Sequence, residues 1–258
     1  MQLAGKVALV TGGGTGIGRA ISLALARNGA KVAVAGRRAD PLSGVEAQLR
    51  ALSGFALSVP MDITRKADVE TGVGEVARAW GALDILVNNA SISGMNRITD
   101  PEDSRWYRIL ETNLTGTYLV TKEALKYMKA GSGARIINVS SVLGKFGVPG
   151  YTAYCASKHG VIGFTRALAL EVVDRGITVN AVCPGWVDTE MARQSVAESS
   201  AEQGMTPEAF KRQAIAAMPI KRFLDADEVA ELVVYLCSAR AAPITGQAIN
   251  ICGGQVMT

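Results

Sequence analysis

The chain has 258 residues, 48% hydrophobic, 19% charged and 5% aromatic, with 27 Lys and Arg against 23 Asp and Glu for a net charge of +4. That composition is globular and long enough to bury most of its unfolded surface, and its scattered charges lack the basic stripe or arm of a nucleic-acid binder. No apolar run reaches the ~18 residues of a membrane span, and MQLAGKVALVTGG lacks a secretory pattern, so a cytoplasmic protein with neither nucleic acid nor membrane as partner is expected.

In chain order, KVALVTGG, KVAVAG, ALSVPMD, DILVNNA, ARIINVSS, GITVNAVCPG and QAINICGG read as seven strands. Their nearly continuous hydrophobicity is that of strands covered on both faces. Between them, 18–28, 41–52, 66–80, 104–129, 154–174 and 227–237 space their apolar residues as helices do. Strand–helix alternation implies βαβ units, hence a doubly wound parallel sheet with helices on both faces. Without a linker, repeat or low-complexity segment, residues 1–258 are expected to form a single domain. The polar, Ala/Ser/Glu-rich stretch 188–219 follows the sixth strand, where open α/β sheets bind ligands, and is read as a helical substrate lid. Cys155, Cys183, Cys237 and Cys252 are far apart, lack metal-ligand spacing, and are expected to be free and buried; no metal is expected.

The first strand runs into TGGGTGIG, Thr11 to Gly18. Gly12 permits a sharp turn, Gly16 lets the backbone approach a pyrophosphate, and Gly18 lets the following helix pack closely on the sheet. With Gly14, Thr15 and Ile17 they form a turn whose helix N-terminus faces the phosphates of a dinucleotide. The end of the second strand, where an acidic residue would take a ribose 2′-hydroxyl, instead carries Gly36-Arg37-Arg38. Arg37 can offer a guanidinium to a 2′-phosphate, so NADP is preferred and NAD is the alternative. For Arg38, a contact and a solvated surface position are equal readings.

YTAYCASKHG holds two tyrosines, a lysine and the chain's sole histidine. Tyr154 and Lys158 are spaced i, i+4 and project from one helix face. A free tyrosine, with a pKa of about 10, is a poor acid–base at neutral pH; the neighbouring ammonium is expected to bring it down toward the working range. Tyr151 lacks that partner, and His159 is read as packed or surface. Ser140 and Ser141 end the fifth strand, and alternation lets one of them face the site. Asn113 sits inside a helical pattern, where asparagine is a modest helix former.

TGGGTGIG, NNA (88–90), Asn113, Ser140-Ser141, YCASK and CPGWVDT together, in this order over essentially the whole chain, resemble the short-chain dehydrogenase/reductase family. The resemblance implies that Tyr154 is the proton donor in reduction and the base in oxidation. It implies that Lys158 binds the nicotinamide ribose and lowers the tyrosine's pKa, and that Ser141, thirteen residues before Tyr154, holds the substrate oxygen. Asn113 would support a water relay to the lysine. Asp62, with Ile63 beside it, would lie against the adenine, and Asn89 and Ala90 would line the ribose. Pro184, Gly185, Val187 and Thr189 would flank the nicotinamide carboxamide and diphosphate. Two departures stand out: Ser91 where the family has the glycine of NNAG, and Thr15 where many NADP-using members carry a basic residue.

ETNLTGTYLVTK, YCASKHGVIGFTRALALEV and GITVNAVCPGWVDTEM look most like the 3-oxoacyl-thioester and aromatic-polyketide ketoreductases of that family. The implied substrate is a ketone on an acyl chain or polyketide, carrier-protein or CoA-bound, in a pocket of Ser93, Gly94, Met95, Val142, Leu143, Val148, Tyr151, Trp186 and Met191. Lys126, Lys129 and Arg175 are the docking candidates for a carrier. A homotetramer is expected by the same resemblance; a light-scattering mass of one 27.0 kDa chain would refute it. The rivals are a dehydrogenase of steroid, sugar or cyclic alcohols and a non-catalytic dinucleotide sensor.

Overall fold

In the computed structural model, which describes residues 2–258, every apolar run becomes a strand. The strands are β1 (Val7–Thr11), β2 (Lys31–Gly36), β3 (Ala56–Pro60), β4 (Ile85–Asn88), β5 (Arg135–Val139), β6 (Thr178–Pro184) and β7 (Ala248–Ile251). All pair in parallel, in the order β3-β2-β1-β4-β5-β6-β7. Parallel neighbours need crossovers, which contain α1 (Gly16–Arg27), α2 (Ala39–Ser53), α3 (Lys66–Trp80), α4 (Ser104–Leu110), α5 (Gly116–Ala124), α6 (Thr152–Val172), α7 (Glu190–Glu202), α8 (Pro207–Ala217) and α9 (Ala226–Cys237).

Alternate strand residues point to opposite faces, and on the inner strands both sets are apolar. Ala8 and Val10 pack with Ile21, Leu25, Leu49 and Val233, on the face of α1, α2 and α9. Val7 and Leu9 pack with Val73, Val120 and Leu168, on the face of α3, α5 and α6. Each such large side chain contributes roughly 1.5–3 kcal/mol over leaving it exposed. The outer strands β3 and β7 are only partly covered, so burial on both faces holds for the strands between them. Strand order reverses between β1 and β4, which opens a crevice at their carboxyl ends.

One segment departs from the sequence reading. The pattern over 104–129 is not one helix: α4 and α5 are joined by a π-helical turn at Glu111–Thr115, and α5 stops at Ala124. In that turn the Gly116 N–H reaches back to the Glu111 carbonyl, a spacing that marks functional positions in many helices. The stretch 188–219 is two helices. Thr206 caps α8 by accepting the Ala209 N–H at 3.2 Å, and Pro207 opens it, where no N–H is needed.

Candidate active site

The turn after β1 is built around missing Cβ atoms. Gly12 has φ of 63° and Gly16 of 51°, in the left-handed region that favours glycine. A Cβ on Gly12 would stand 2.9 Å from Ala90 Cα, and one on Gly18 would stand 2.2 Å from the Gly12 carbonyl oxygen. Asn89 Nδ2 donates to the Thr11 and Gly12 carbonyls at 3.0 and 3.2 Å. The Asn89 and Ala90 N–H groups donate to Thr11 Oγ1 at 3.0 and 3.1 Å. The glycine turn and Asn89-Ala90 are therefore one unit. A Cβ on Gly16 would meet Thr189 Cγ2 at 3.3 Å, and one on Gly14 would meet Pro41 Cβ at 3.1 Å, which brings in the loop after β6 and the start of α2.

Thr15 is the N-cap of α1, but its side chain makes no capping bond, and the first-turn N–H groups remain free for an anion. Ile17 packs against the core behind them. The kept space and the helix N-terminus fit a dinucleotide pyrophosphate. Gly13 and Thr11 escaped the sequence reading: Gly13 lies flat on β2, where a Cβ would meet Val34 Cγ1 at 2.8 Å. The middle one of three consecutive glycines was the available signal.

Arg37 ends up exposed beyond β2, and Arg38 is the N-cap of α2. Burial acts to raise the Asp62 carboxyl, but the Thr64 N–H and hydroxyl, at 3.0 and 2.8 Å, and the charges of Arg37 and Arg65 hold it below the usual carboxylate value. Ile63 packs on Gly116, where a Cβ would meet its Cδ1 at 2.7 Å. On the other side, the Gly185 N–H bonds the Ile251 carbonyl, Val187 is buried, Pro184 ends β6, and Thr189 caps α7 through the Ala192 N–H.

Ser141, Tyr154, Lys158 and Asn113 come together where β5 meets α6. Ser141 Oγ accepts the Leu143 N–H at 3.1 Å, which fixes the short turn Val142–Gly144. Lys158 Nζ donates to the Val139 carbonyl at 2.9 Å and stands 5.6 Å from the Tyr154 ring centroid. The sequence expectation for Tyr154 is corrected: burial raises its phenol to about 12, with the Ser141 hydroxyl acting to lower it. Burial also lowers Lys158 to about 8. The physical reason is that the ammonium is aimed at a carbonyl, while both groups lose water.

Ser140, off the site as alternation required, donates to the Lys158 carbonyl at 2.9 Å, and Gly144 closes tightly over that bond. Lys158 is thus held at both its backbone and its ammonium by β5. Asn113 Nδ2 donates to the Ile92 carbonyl and to Ser157 Oγ, and its Oδ1 accepts the Ile92 N–H. Ser157 in turn donates to the Tyr154 carbonyl at 2.8 Å. Asn113 therefore ties the loop after β4 to the helix carrying Tyr154.

Met95, Leu143, Val148 and Tyr151 pack around Tyr154, with Ile109 and Ala153; Val142 is buried beside them, and Ser93 and Gly94 lie on the same loop as Met95. Tyr151 and Ser199 of α7 share a hydrogen bond of 3.0 Å, and the Met95 N–H donates to Glu198 Oε2 at 3.1 Å. Arg97 pairs with Glu202. The helix α7 thus lies over the tyrosines, fastened through Glu198, Ser199 and Glu202, which sequence reasoning missed. Met191 is exposed on it. Trp186 is engaged with that cover rather than with the tyrosine cluster: it stacks on Phe223 at 5.2 Å and meets the edge of Phe210 of α8.

The docking candidates lie elsewhere. Arg175 follows α6, whose 21 residues carry the chain about 30 Å from Tyr154. Its guanidinium donates to the Leu125 and Met128 carbonyls at 2.9 and 2.7 Å, and Lys126 pairs with Glu123. Lys126, Lys129 and Arg175 sit where strands begin, at the sheet edge opposite this chain's own site. His159 Nδ1 lies 2.9 Å from the Cys155 carbonyl oxygen, and all four cysteines are free and buried. Among the described residues, no group of three His, Cys, Asp or Glu is placed to hold a metal, and no helix is long and apolar enough to cross a membrane.

A family model, short chain dehydrogenase, matches residues 6–200. A putative ketoacyl reductase of Streptomyces coelicolor is 43% identical over 254 residues, covering 96% of each chain. A 3-oxoacyl-[acyl-carrier-protein] reductase of Vibrio cholerae is 38% identical over 257 residues, covering 100% of each. Among solved structures, an actinorhodin polyketide ketoreductase variant with NADPH superposes with a TM-score of 0.93 at 41% identity, covering 99% of this chain and 98% of that one.

Proposed function

We propose that this chain, which belongs to the short-chain dehydrogenase/reductase family and is an oxidoreductase of the carbonyl/carbinol type, is an NADPH-dependent ketoreductase of 3-oxoacyl or polyketide-like substrates. The observation that carries the reading is the meeting of the Tyr154 phenol, buried beside Ser141, with Lys158, whose ammonium is held on the Val139 carbonyl at 2.9 Å. The dinucleotide, when bound, supplies the hydride for the carbonyl carbon. Ser141 and Tyr154 hydrogen-bond the carbonyl oxygen, and Tyr154 delivers its proton there as negative charge develops. Lys158, anchored on Val139, orients the ribose and offsets that charge. Asn113 holds Ile92 and, through Ser157, the helix bearing Tyr154; a water relay to Lys158 belongs to the proposal through its main chain. The α7–α8 cover acts as the lid over the pocket and keeps water out. Exposed Leu170 on α6 and Val173 just after it support the expected tetramer.

The pH dependence follows from Lys158. Its ammonium is present below about 8 and lost above it, whereas Tyr154 stays protonated. Initial rates of reduction should therefore be flat below that pH and fall tenfold per unit above it. In Lys158→Met a slower rate should persist without that limb; a limb that survives the substitution assigns it to another group.

The cofactor preference rests on Arg37. Fluorescence titration should show NADPH binding roughly tenfold or more tighter than NADH, the worth of a charge-assisted bond to the 2′-phosphate. Arg37→Glu should reverse that order. Equal binding by the wild type, or a preference for NADH, would transfer weight to the secondary-alcohol dehydrogenase.

A further inference from the structure

We infer that Glu198, on the lid helix α7, makes this pocket select neutral ketones and thioesters over free keto acids; the inference deepens the ketoreductase reading and rests on it. The Glu198 carboxylate is half-buried, accepting the Met95 N–H through Oε2 and Gln194 Nε2 through Oε1, both at 3.1 Å. Met95 packs with Tyr151 and Tyr154, and the residue next to Glu198, Ser199, bonds the Tyr151 hydroxyl. The carboxylate therefore stands at the edge of the tyrosine cluster. Its charge reaches that far: burial leads in raising the Tyr151 phenol, Ser199 opposes it, and Glu198 adds to the rise.

Among the described residues, none of the cations around this edge forms an ion pair with Glu198. Arg97 pairs with Glu202, and Arg105 Nη1 donates to the Met95 carbonyl at 2.7 Å. Lys145 donates to the Ala248 and Thr258 carbonyls, and Lys158 to Val139. A substrate carrying its own carboxylate beside the ketone brings it near the Glu198 charge under the lid, where attraction and repulsion are stronger than in water. A thioester or a plain ketone of the same length does not.

The experiment compares kcat/KM for 3-oxobutanoate with that for its neutral N-acetylcysteamine thioester, with NADPH in excess. The wild type should favour the thioester, and Glu198→Gln, which keeps an oxygen for the Met95 N–H, should narrow the ratio roughly tenfold. Glu198→Asp, which keeps the charge, should hold the wild-type ratio. A purely structural role in fastening the lid would change both substrates alike and leave the ratio where it was. A ratio unmoved by Glu198→Gln, or narrowed equally by Glu198→Asp, overturns the assignment while the ketoreductase reading stands. Failure of the wild type to reduce the thioester removes that reading and the inference with it.

Discussion

Tyr154→Phe is expected to slow ketone reduction by about 10²- to 10⁴-fold, the contribution of a positioned general acid, while dinucleotide binding and folding are retained. The substitution removes one hydroxyl and leaves the ring packed with Tyr151, Ile109 and Cys155. The glycine turn lies on β1 and α1, so a dinucleotide held there would not depend on that hydroxyl. The loss should fall on kcat. Tyr151→Phe is the control, since that phenol is spent on Ser199 of the lid and lies outside the proton path. A Tyr154→Phe variant within tenfold of wild-type turnover would mean that Ser141 or solvent supplies the proton.

Gly18→Ala is expected to weaken NADPH binding at least tenfold and to lower stability by about 1–3 kcal/mol, the usual cost of overpacking. The new Cβ would stand 2.2 Å from the Gly12 carbonyl oxygen and 2.4 Å from Asn89 Nδ2, so the turn and the Asn89-Ala90 loop must both move. Those are backbone and a committed amide, which cannot swing aside as a flexible side-chain end would. The same substitution at Gly44, an exposed helical position with nothing within 4 Å of a Cβ, should instead stabilise by roughly 0.5–1 kcal/mol. Thermal melts and titrations on both variants separate a packing effect from a generic glycine effect. A Gly18→Ala variant that binds NADPH like the wild type would show that the turn has slack which the contacts deny.

Much of this was legible in the residues because local chemistry and final geometry agree. The strands announced themselves as unbroken apolar runs, since a sheet covered on both faces leaves no polar alternation. The TGGGTGIG turn was readable because its glycines answer close approaches that a Cβ would block, of Ala90 at Gly12, of the Gly12 carbonyl at Gly18 and of Thr189 at Gly16. The break at Glu111–Thr115 was not readable: Asn113 is drawn to Ile92, 21 residues away, and periodicity carries no information about such a bond. Spacing put Tyr154 and Lys158 on one face but said nothing of their burial or of the Val139 carbonyl that takes the ammonium, so the direction of the Tyr154 shift came out reversed. Lys126, Lys129 and Arg175 are the carrier-docking candidates by resemblance, whereas the length of α6 carries Arg175 to the end of the sheet away from Tyr154. Glu198 bonds a residue 103 positions away, and only the folded chain brings them together.

The most direct test of the central claim is NADPH oxidation in a single turnover with a 3-oxoacyl thioester, followed for the wild type and Tyr154→Phe side by side. The account predicts rapid oxidation of NADPH by the wild type, NADH trailing it, and a rate in the variant reduced by the factor above with cofactor still bound. Tight NADPH binding without oxidation, on thioesters and on alcohols run in reverse with NADP, would contradict it and leave a dinucleotide-binding protein with an idle tyrosine.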